Sequence, residues 1–553
     1  MIEDLWYKNA IIYNIDLDMF QDTTGDGVGD FEGLMRRLDY LQALGVDAIW
    51  LAPFQPTPNR DHGYDISDFY GIDERHGSSG DFVEFTHQAK KRGIKVMIDL
   101  VINHTSDQHP WFRKARSDSG SRFRDWYVWA DQPQSSTAGG TVFPGKEEST
   151  WTFDEAAGRY YFHRFFDFQP DLNMDNPVLR TELRRVMGYW LELGIAGFRM
   201  DAVPFVLESE ITDGSPPEQR FDVLAEFRQF LQWRQGDAIL LGEANVSPEE
   251  NRRYFGTAGD GLHMMFNFFV NQHLFLALAT GDVQPLIDAL RATRVESSTA
   301  HWANFLRNHD ELDLARLGQA DRERLFRAFA PEERMQIFGR GIRRRLAPML
   351  QGDRRRIEFA NSLLFALPGT PVLRYGDEIG MGEDLDLEGR ESVRTPMQWS
   401  DEPQGGFSTA EDTVVPVIDQ GAYGYQHVNV ERQRRDPNSL LNWFTRMIRL
   451  RKECPEIGWG HWEVLDTGSD SVLGLRYDWR GVSLLTLHNF TDEPREVHFR
   501  PGVKGDERLI DLVVEAQSVA GDDGAHSMTL QPYDYRWFRV GSLNYLMDRE
   551  RVD

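Results

Sequence analysis

A chain of 553 residues with 41% hydrophobic and 12% aromatic residues can bury a large core and more than one domain, which excludes a disordered protein. Its formal net charge of −27 repels nucleic acid and anionic membrane over most of the surface, so neither is an expected partner, and a small neutral substrate is favoured over a polyanion. The opening stretch carries acids throughout, no apolar run reaches the ~18 residues of a membrane span, and the lone Cys454 cannot form an internal disulfide, so a soluble cytoplasmic protein is expected.

Short apolar, β-branched runs recur with amphipathic helical stretches between them. They are AIIYNIDL from Ala10, AIWLAPF from Ala48, VMIDLVINH from Val96, GFRMDAV from Gly197, AILLGEA from Ala238, HMMFNFF from His263, WANFLRNHD from Trp302 and TPVLRYGDE from Thr370. Eight strands alternating with helices predict an α/β fold, a parallel (β/α)8 TIM barrel. Each run ends in polar residues, among them Asn103, His104, Arg199, Asp201, Glu243, His309 and Asp310. In this fold the strands' C-terminal mouth carries the active site.

Two stretches break the alternation. Residues 105–170, after the third strand, are too long for an ordinary connection and rich in aromatics, which predicts a small inserted domain over the mouth. A long polar loop at about 380–440 follows the eighth strand, so two covering elements predict a closed pocket. The barrel is expected over 1–104 and 171–460. Beyond it, SVLGLRYDW, VSLLTLHNF and YDYRWFRV alternate as strands, which predicts a C-terminal antiparallel β-sandwich over 461–553.

Cleaving a glycosidic bond needs one carboxylate to attack or support an oxocarbenium-like carbon and a second, protonated, to donate to the leaving oxygen. Asp201 and Glu243 end strands of the right kind. A lone strand-end acid is more often a cap or an ion-pair member, but here several acids and histidines converge.

The ordered motifs NAIIYNIDLDMF, GYDISDFYG, DLVINHTSDQHPWF, GFRMD, GEAN, FLRNHDE and RTPMQW resemble those of the α-amylase family, glycoside hydrolase family 13, over essentially the whole chain. The resemblance implies Asp201 as nucleophile, Glu243 as general acid/base and Asp310 as transition-state stabiliser. It further implies that Asp65, His104, Arg199 and His309 hold the sugar's hydroxyls, that Tyr64 stacks on its face, and that Phe166 and Arg394 belong to the same site. Within the family, SDQHPWF, HRFFDFQPDLNMDNP, DAVPFVLE, GIRRRLAPML and SLLNWFTRM resemble the maltose α-glucosyltransferases that convert maltose to trehalose. Asn14 and the pair Asp167-Phe168 depart from the residues usual among relatives. Isomerisation of maltose to trehalose with some hydrolysis is therefore expected; an α-glucosidase, or a transferase with another small acceptor, uses the same first half-reaction. Asn245 and Glu311 stand beside the catalytic acids, and their side chains are expected either to hydrogen-bond across the mouth and narrow the exit or to satisfy neighbouring backbone groups.

DTTGDGVGD spaces oxygen ligands at Asp22, Thr24, Asp26, the Val28 carbonyl and Asp30, a spacing that suits calcium or a simple acidic turn. The resemblance implies a second ion joining Asn103, Asp171, Glu208 and the carbonyls of Phe205 and Val206. One or two structural calcium ions are expected, with magnesium an alternative at one, and no organic cofactor; a homo-oligomer is left open.

Overall fold

The computed structural model describes residues 3–133, 142–143, 146–208, 219–256, 258–295, 297–502, 508–514, 517–521 and 524–541. Eight parallel strands close into a barrel: β1 (Ile12–Ile15), β2 (Ala48–Leu51), β3 (Lys95–Leu100), β4 (Gly197–Met200), β5 (Ile239–Gly242), β6 (Met264–Phe266), β7 (His301–Phe305) and β8 (Thr370–Arg374). Ile12 sits opposite both Ala48 and Val372, so the first strand seals the ring between the second and the last. Strands buried on both faces read as continuous apolar runs rather than alternating ones. Their inward side chains, including Trp50, Met97, Leu241, Phe266 and Phe305, fill the barrel as a packed core.

The surrounding helices start where the local chemistry allows. Ser78 and Asp81 form a reciprocal capping box at Ser79–Lys91, and Asn176 caps Pro177–Glu192 with a proline at its first turn. Between β3 and that second helix, the inserted stretch builds the helix Pro110–Ser117 and a three-stranded antiparallel sheet with Arg159–Phe162 between Trp129–Ala130 and Trp151–Asp154. Most of its aromatics pack on one another: Phe112 stacks on Trp129 at 5.7 Å, and Trp126 meets Trp111 edge-on at 4.7 Å.

Past the barrel, Val472–Trp479, Val482–Asn489 and Tyr535–Gly541 lie in a six-stranded antiparallel sheet, and Arg495–Phe499 pairs with His526–Leu530 in a second. Leu485, Leu487, Val497, Phe499, Leu530 and Phe538 pack between the two. Trp537 of the larger sheet donates to Ser362 Oγ at 3.1 Å, docking the sandwich on a barrel helix. Parts of the inserted and C-terminal stretches lie outside the described residues. Among those described, no helix is long and apolar enough to cross a membrane.

Candidate active site

Arg199, on β4 and almost fully buried, organises the floor of the mouth. Its Nη1 donates to Asp99 Oδ1 at 2.8 Å and to Asp201 Oδ1 at 2.6 Å, and its Nη2 lies 2.8 Å from Glu243 Oε2. One guanidinium thus gathers carboxylates from three neighbouring strand ends, a task its planar fork suits and a lysine's point charge does not. The chain leaves Asp201 through Ala202 at φ +47°, a left-handed conformation that a non-glycine residue adopts at a cost of about 1–3 kcal/mol. That turn lets Ala202 N donate to Glu243 Oε2 at 3.3 Å, and Val203 N donate to the Glu243 carbonyl at 3.0 Å. Gly242 precedes Glu243 because a Cβ there would lie 2.3 Å from Leu262 Cδ1.

Burial raises both acids, since a charged carboxylate is costly away from water. Asp201 is pushed up to about 6, with Arg199 opposing and Asp99 and Asp310 adding to the rise. Glu243 goes up to about 7 by burial, again opposed by Arg199 and reinforced by Asp201 and Asp310. For Asp310, burial is outweighed by the surrounding charges, that of Arg390 foremost with Arg394 and Arg199, which hold it well below the usual carboxylate range. Environments that push neighbouring acids apart are how one site keeps one carboxylate charged and another protonated.

Asp310 follows β7 and is gripped by two arginines of the loop after β8. Arg394 Nη2 donates to its Oδ1 at 2.8 Å, and Arg390 Nη1 donates to the same oxygen. His309 Nε2 lies 3.3 Å from Asp310 Oδ2 and 2.8 Å from the Tyr64 hydroxyl, which itself donates to Asp99 Oδ2 at 3.1 Å. Tyr64 and His309 stack at 5.7 Å, and His104 Nε2 donates to the Tyr64 carbonyl at 3.1 Å. Burial pushes His104 down to about 4 and His309 to about 3, so both imidazoles are neutral.

A cavity of about 410 Å³ opens over this floor, lined by Tyr64, His104, Asp201, Glu243 and Asp310 and walled by Phe143, Phe165, Phe205 and Phe268. Several expectations change here. Asp65 turns into its own loop, where it accepts from Thr57 Oγ1 and the Arg60 and Asp61 amides, and Asp61 lines the cavity instead. Phe166 stacks on Phe143 and Phe168, away from the lining, and its neighbour Phe165 takes the wall. Asn245 Nδ2 donates to Asp313 Oδ2 at 2.7 Å, a side-chain bond between segments of the mouth, whereas Glu311 Oε2 has no partner among the described residues. Arg394 stands behind Asp310, outside the cavity lining, whereas Arg390 lines it and also faces Asp61 at 3.7 Å. Sequence reading missed Asp61, Gln169, Arg390, Asp313 and Phe143. Gln169 Nε2 donates to Asp61 Oδ2 at 2.9 Å, and the one signal for the pair is an acid and an amide beside the motifs GYD and QPDLN.

Residues 15–460 match the model of the α-amylase catalytic domain, and 481–539 match a sucrose hydrolase-like C-terminal domain. The chain belongs to the α-amylase family. It is a trehalose synthase-like member. A trehalose synthase of Thermus thermophilus is 42% identical over 98% of this chain, which spans only 56% of that relative's length. Another, of Pimelobacter sp., is 39% identical over 97% of this chain and 96% of its own. An oligo-1,6-glucosidase of Bacillus cereus is 29% identical over 98% of this chain and its full length. Among solved structures, an α-amylase from H. orenii superposes with a TM-score of 0.77 at 28% identity, covering 96% of this chain and 99% of its own. The trehalulose synthase MutB, as its A258V mutant, gives 0.77 at 26% identity, covering 97% of this family member and 100% of its own chain.

The two sets of expected calcium ligands differ. In the first, Asp22 accepts from the amides of Thr24, Gly25 and Gly27 and from Ser408 Oγ, Asp26 accepts from Val28 N, and Asp30 accepts from Thr23 N and Gly33 N. This all-oxygen loop fits a hard cation by ligand type, provided some of those bonds are exchanged. The second set does not fit as arranged, because the buried Arg164 guanidinium pairs with Glu208 and the Arg164 amide donates to Asp171 Oδ1. Among the described residues no three His, Cys, Asp or Glu side chains converge as a metal cage.

Proposed function

We propose that this enzyme transfers an α-glucosyl unit with retention and isomerises maltose to trehalose, losing some glucose to water. The observation that carries this reading is the Arg199 cluster, which sets Asp201 and Glu243 against one guanidinium at the base of a walled cavity. Kinship with trehalose synthases supplies the substrate.

In the first half-reaction, an Asp201 oxygen attacks the anomeric carbon, the glycosidic bond breaks, and Glu243 gives its proton to the departing oxygen. The electronic roles follow from the environments. Asp310, held ionised by its arginines, balances positive charge developing on the ring, and Glu243, raised by burial to about 7, keeps its proton below that pH. Asp61, Gln169 and Arg390 form a polar group at one side of the cavity that suits the hydroxyls of the transferred sugar. In the second half-reaction, the released glucose turns, Glu243 removes the proton from its anomeric hydroxyl, and that oxygen displaces Asp201.

Water at roughly 55 M competes for the glucosyl-enzyme, so isomerisation requires a leaving glucose held at high effective concentration. Val142 and Phe143 of the inserted stretch support such a cover. Arg340 donates to the Val142 carbonyl at 3.1 Å, and Phe143 packs at a tilt against Phe338 at 5.3 Å and lies under the Arg390 guanidinium. Maltose incubated with excess labelled glucose is expected to give trehalose carrying almost no label. Label in proportion to external glucose would show an open acceptor site, and no trehalose at all would move the function to an α-glucosidase.

Calcium enters the proposal only as a scaffold ion on the Asp22–Asp30 loop. Through Ser408 that loop joins the segment after β8, so an ion there would brace the mouth without touching the scissile bond.

A further inference from the structure

Tyr64 and His309 also line a second, smaller chamber, about 30 Å³, bounded by Asp16, Asn59, His62 and Arg394. None of the chemistry above uses it. Three buried acceptor atoms of its lining residues have no partner among the described residues: Asp16 Oδ1, Asn59 Oδ1 and His309 Nδ1. Orphaned buried polar atoms are rare, and each costs about 1–3 kcal/mol if left unsatisfied.

Counting protons decides what the chamber requires. The Tyr64 hydroxyl gives its hydrogen to Asp99, so at 2.8 Å the partner nitrogen His309 Nε2 must be a donor. Asp310 Oδ2, at 3.3 Å from the same nitrogen, can only accept. Burial keeps the imidazole neutral, so its single proton is on Nε2 and Nδ1 is a bare lone pair. The other carboxylate oxygen of Asp16 is held by Arg374 Nη2 at 2.8 Å, which fixes the side chain. Arg394 spends its Nε on the His309 carbonyl and its Nη2 on Asp310. Asp16 Oδ1, Asn59 Oδ1 and His309 Nδ1 are therefore buried acceptors of the chamber lining with no donor among the described residues. A volume of that size holds about two waters, each with two protons to give.

The chamber wall is also strained. Asn59 and His62 sit at φ +59° and +48°, and Asp65 staples the turn between them by accepting from Thr57, Arg60 and Asp61. Non-glycine residues held in this region cluster where structure serves a site.

We propose that the chamber is a hydration site in which ordered water bridges His309 Nδ1 to the Asp16 carboxylate, so that Asp16 positions His309 with its proton on Nε2. One water donates one hydrogen to Nδ1 and the other to Asp16 Oδ1; a second serves Asn59. The opposite tautomer would leave Nε2 without a hydrogen for Asp310 or for a sugar hydroxyl beside it. Only the kinetic consequence rests on the glucosyl-transfer reading.

The hydration is tested without activity. A crystal structure near 1.2 Å should show ordered density within hydrogen-bond reach of Asp16 Oδ1 and His309 Nδ1. An empty chamber, or a metal ion there with contacts near 2.4 Å, overturns the site. The positioning role is tested by release of an aryl leaving group from an aryl α-glucoside, which requires neither maltose nor trehalose as substrate. Asp16→Ala should lower kcat about tenfold with KM unchanged, the loss expected when one buried bridge is removed. Asp16→Asn keeps an oxygen on the chamber and should restore most of that loss. Asn59→Gly tolerates the positive φ, removes the third acceptor together with its amide and should cost about threefold, within the range of a single hydrogen bond, which keeps the test open if Asp16→Ala does not fold. Equal impairment in Asp16→Ala and Asp16→Asn would assign Asp16 to its Arg374 ion pair alone, and native kcat in Asp16→Ala and Asn59→Gly would refute the role. If the aryl glucoside is not cleaved by the native enzyme, the glucosyl-transfer reading fails while the crystallographic test stands.

Discussion

The floor of the mouth and its rim are built in opposite ways. On the floor, Asp99, Arg199, Asp201 and Glu243 stand on or beside strand ends of the barrel and satisfy one another through one buried guanidinium. At the rim, Asn245, Arg316 and Arg340 come from loops and Asp313 from the short Leu312–Asp313 pairing, and their bonds run across the gaps between these segments: Asn245 to Asp313, Arg316 to the Asn245 carbonyl, Arg340 to Val142. Rigid strands fix groups to the tolerance that bond-making requires, whereas loops can exchange partners as a substrate enters or turns. Floor changes should therefore affect rate, and rim changes should affect what the intermediate does next.

The largest break in that contrast comes from the two acids. Asp201→Ala and Glu243→Gln should each lower kcat by roughly three orders of magnitude or more while maltose binding, measured calorimetrically, survives. Near-normal turnover in folded Asp201→Ala would end the assignment. Next comes Arg199→Lys, expected to cost about a hundredfold because one ammonium cannot bridge three carboxylates in this geometry; a loss under threefold would show that the cluster is dispensable.

The pH profile sharpens the same floor. Asp201 must be ionised, so kcat/KM should rise as pH passes its raised value of about 6. Glu243 must hold its proton, so activity should fall as pH passes about 7. A narrow bell between those values is expected, with its arms belonging to the pair. A plateau extending from pH 5 to 9 would contradict the burial argument.

The rim gives a smaller, qualitatively different effect. Asn245→Ala should raise the ratio of glucose to trehalose several-fold while total maltose consumption stays within about threefold, as suits loss of one hydrogen bond. An unchanged product ratio with lowered turnover would transfer Asn245 to the floor. The smallest effect belongs to the Asp22–Asp30 loop. Exhaustive chelation should lower the melting temperature by a few degrees, following ligand linkage, with little change in specific activity of the folded enzyme; an unchanged melt in a protein shown to be metal-free removes the ion.

The contrast also explains what could be read from the chain. Strand-end residues were legible because the barrel dictates where a strand's last polar residue goes, so Asp201, Glu243 and Asp310 were placed from motif and fold alone. Loop residues were not. Asp61 and Asp65 lie in one turn that includes two residues at positive φ, Asn59 and His62; Asp61 faces the cavity while Asp65 accepts from its own loop, a difference that sequence spacing does not carry. Phe165 and Phe166 are adjacent, so one residue of register exchanges wall for packing. Arg390 lies in no motif. The short bridge at Leu312–Asp313 brings Asp313, not Glu311, to Asn245, a choice that pairing makes and spacing does not.

Barrel closure carries a consequence for how the chain is made. Ile12 emerges early in synthesis, yet one of its two neighbouring strands contains Val372, so β1 presents an open edge until most of the polypeptide exists. Joining partners so distant in sequence is slow, and an unpaired parallel edge invites association with other chains. Asp310 is made before Arg390 and Arg394, which means its carboxylate lacks both counter-charges until the loop after β8 is translated. A nascent chain halted before Thr370 would therefore combine an open sheet with an uncompensated acid. Sheltering of late intermediates by chaperones is the step on which the yield of active protein should depend.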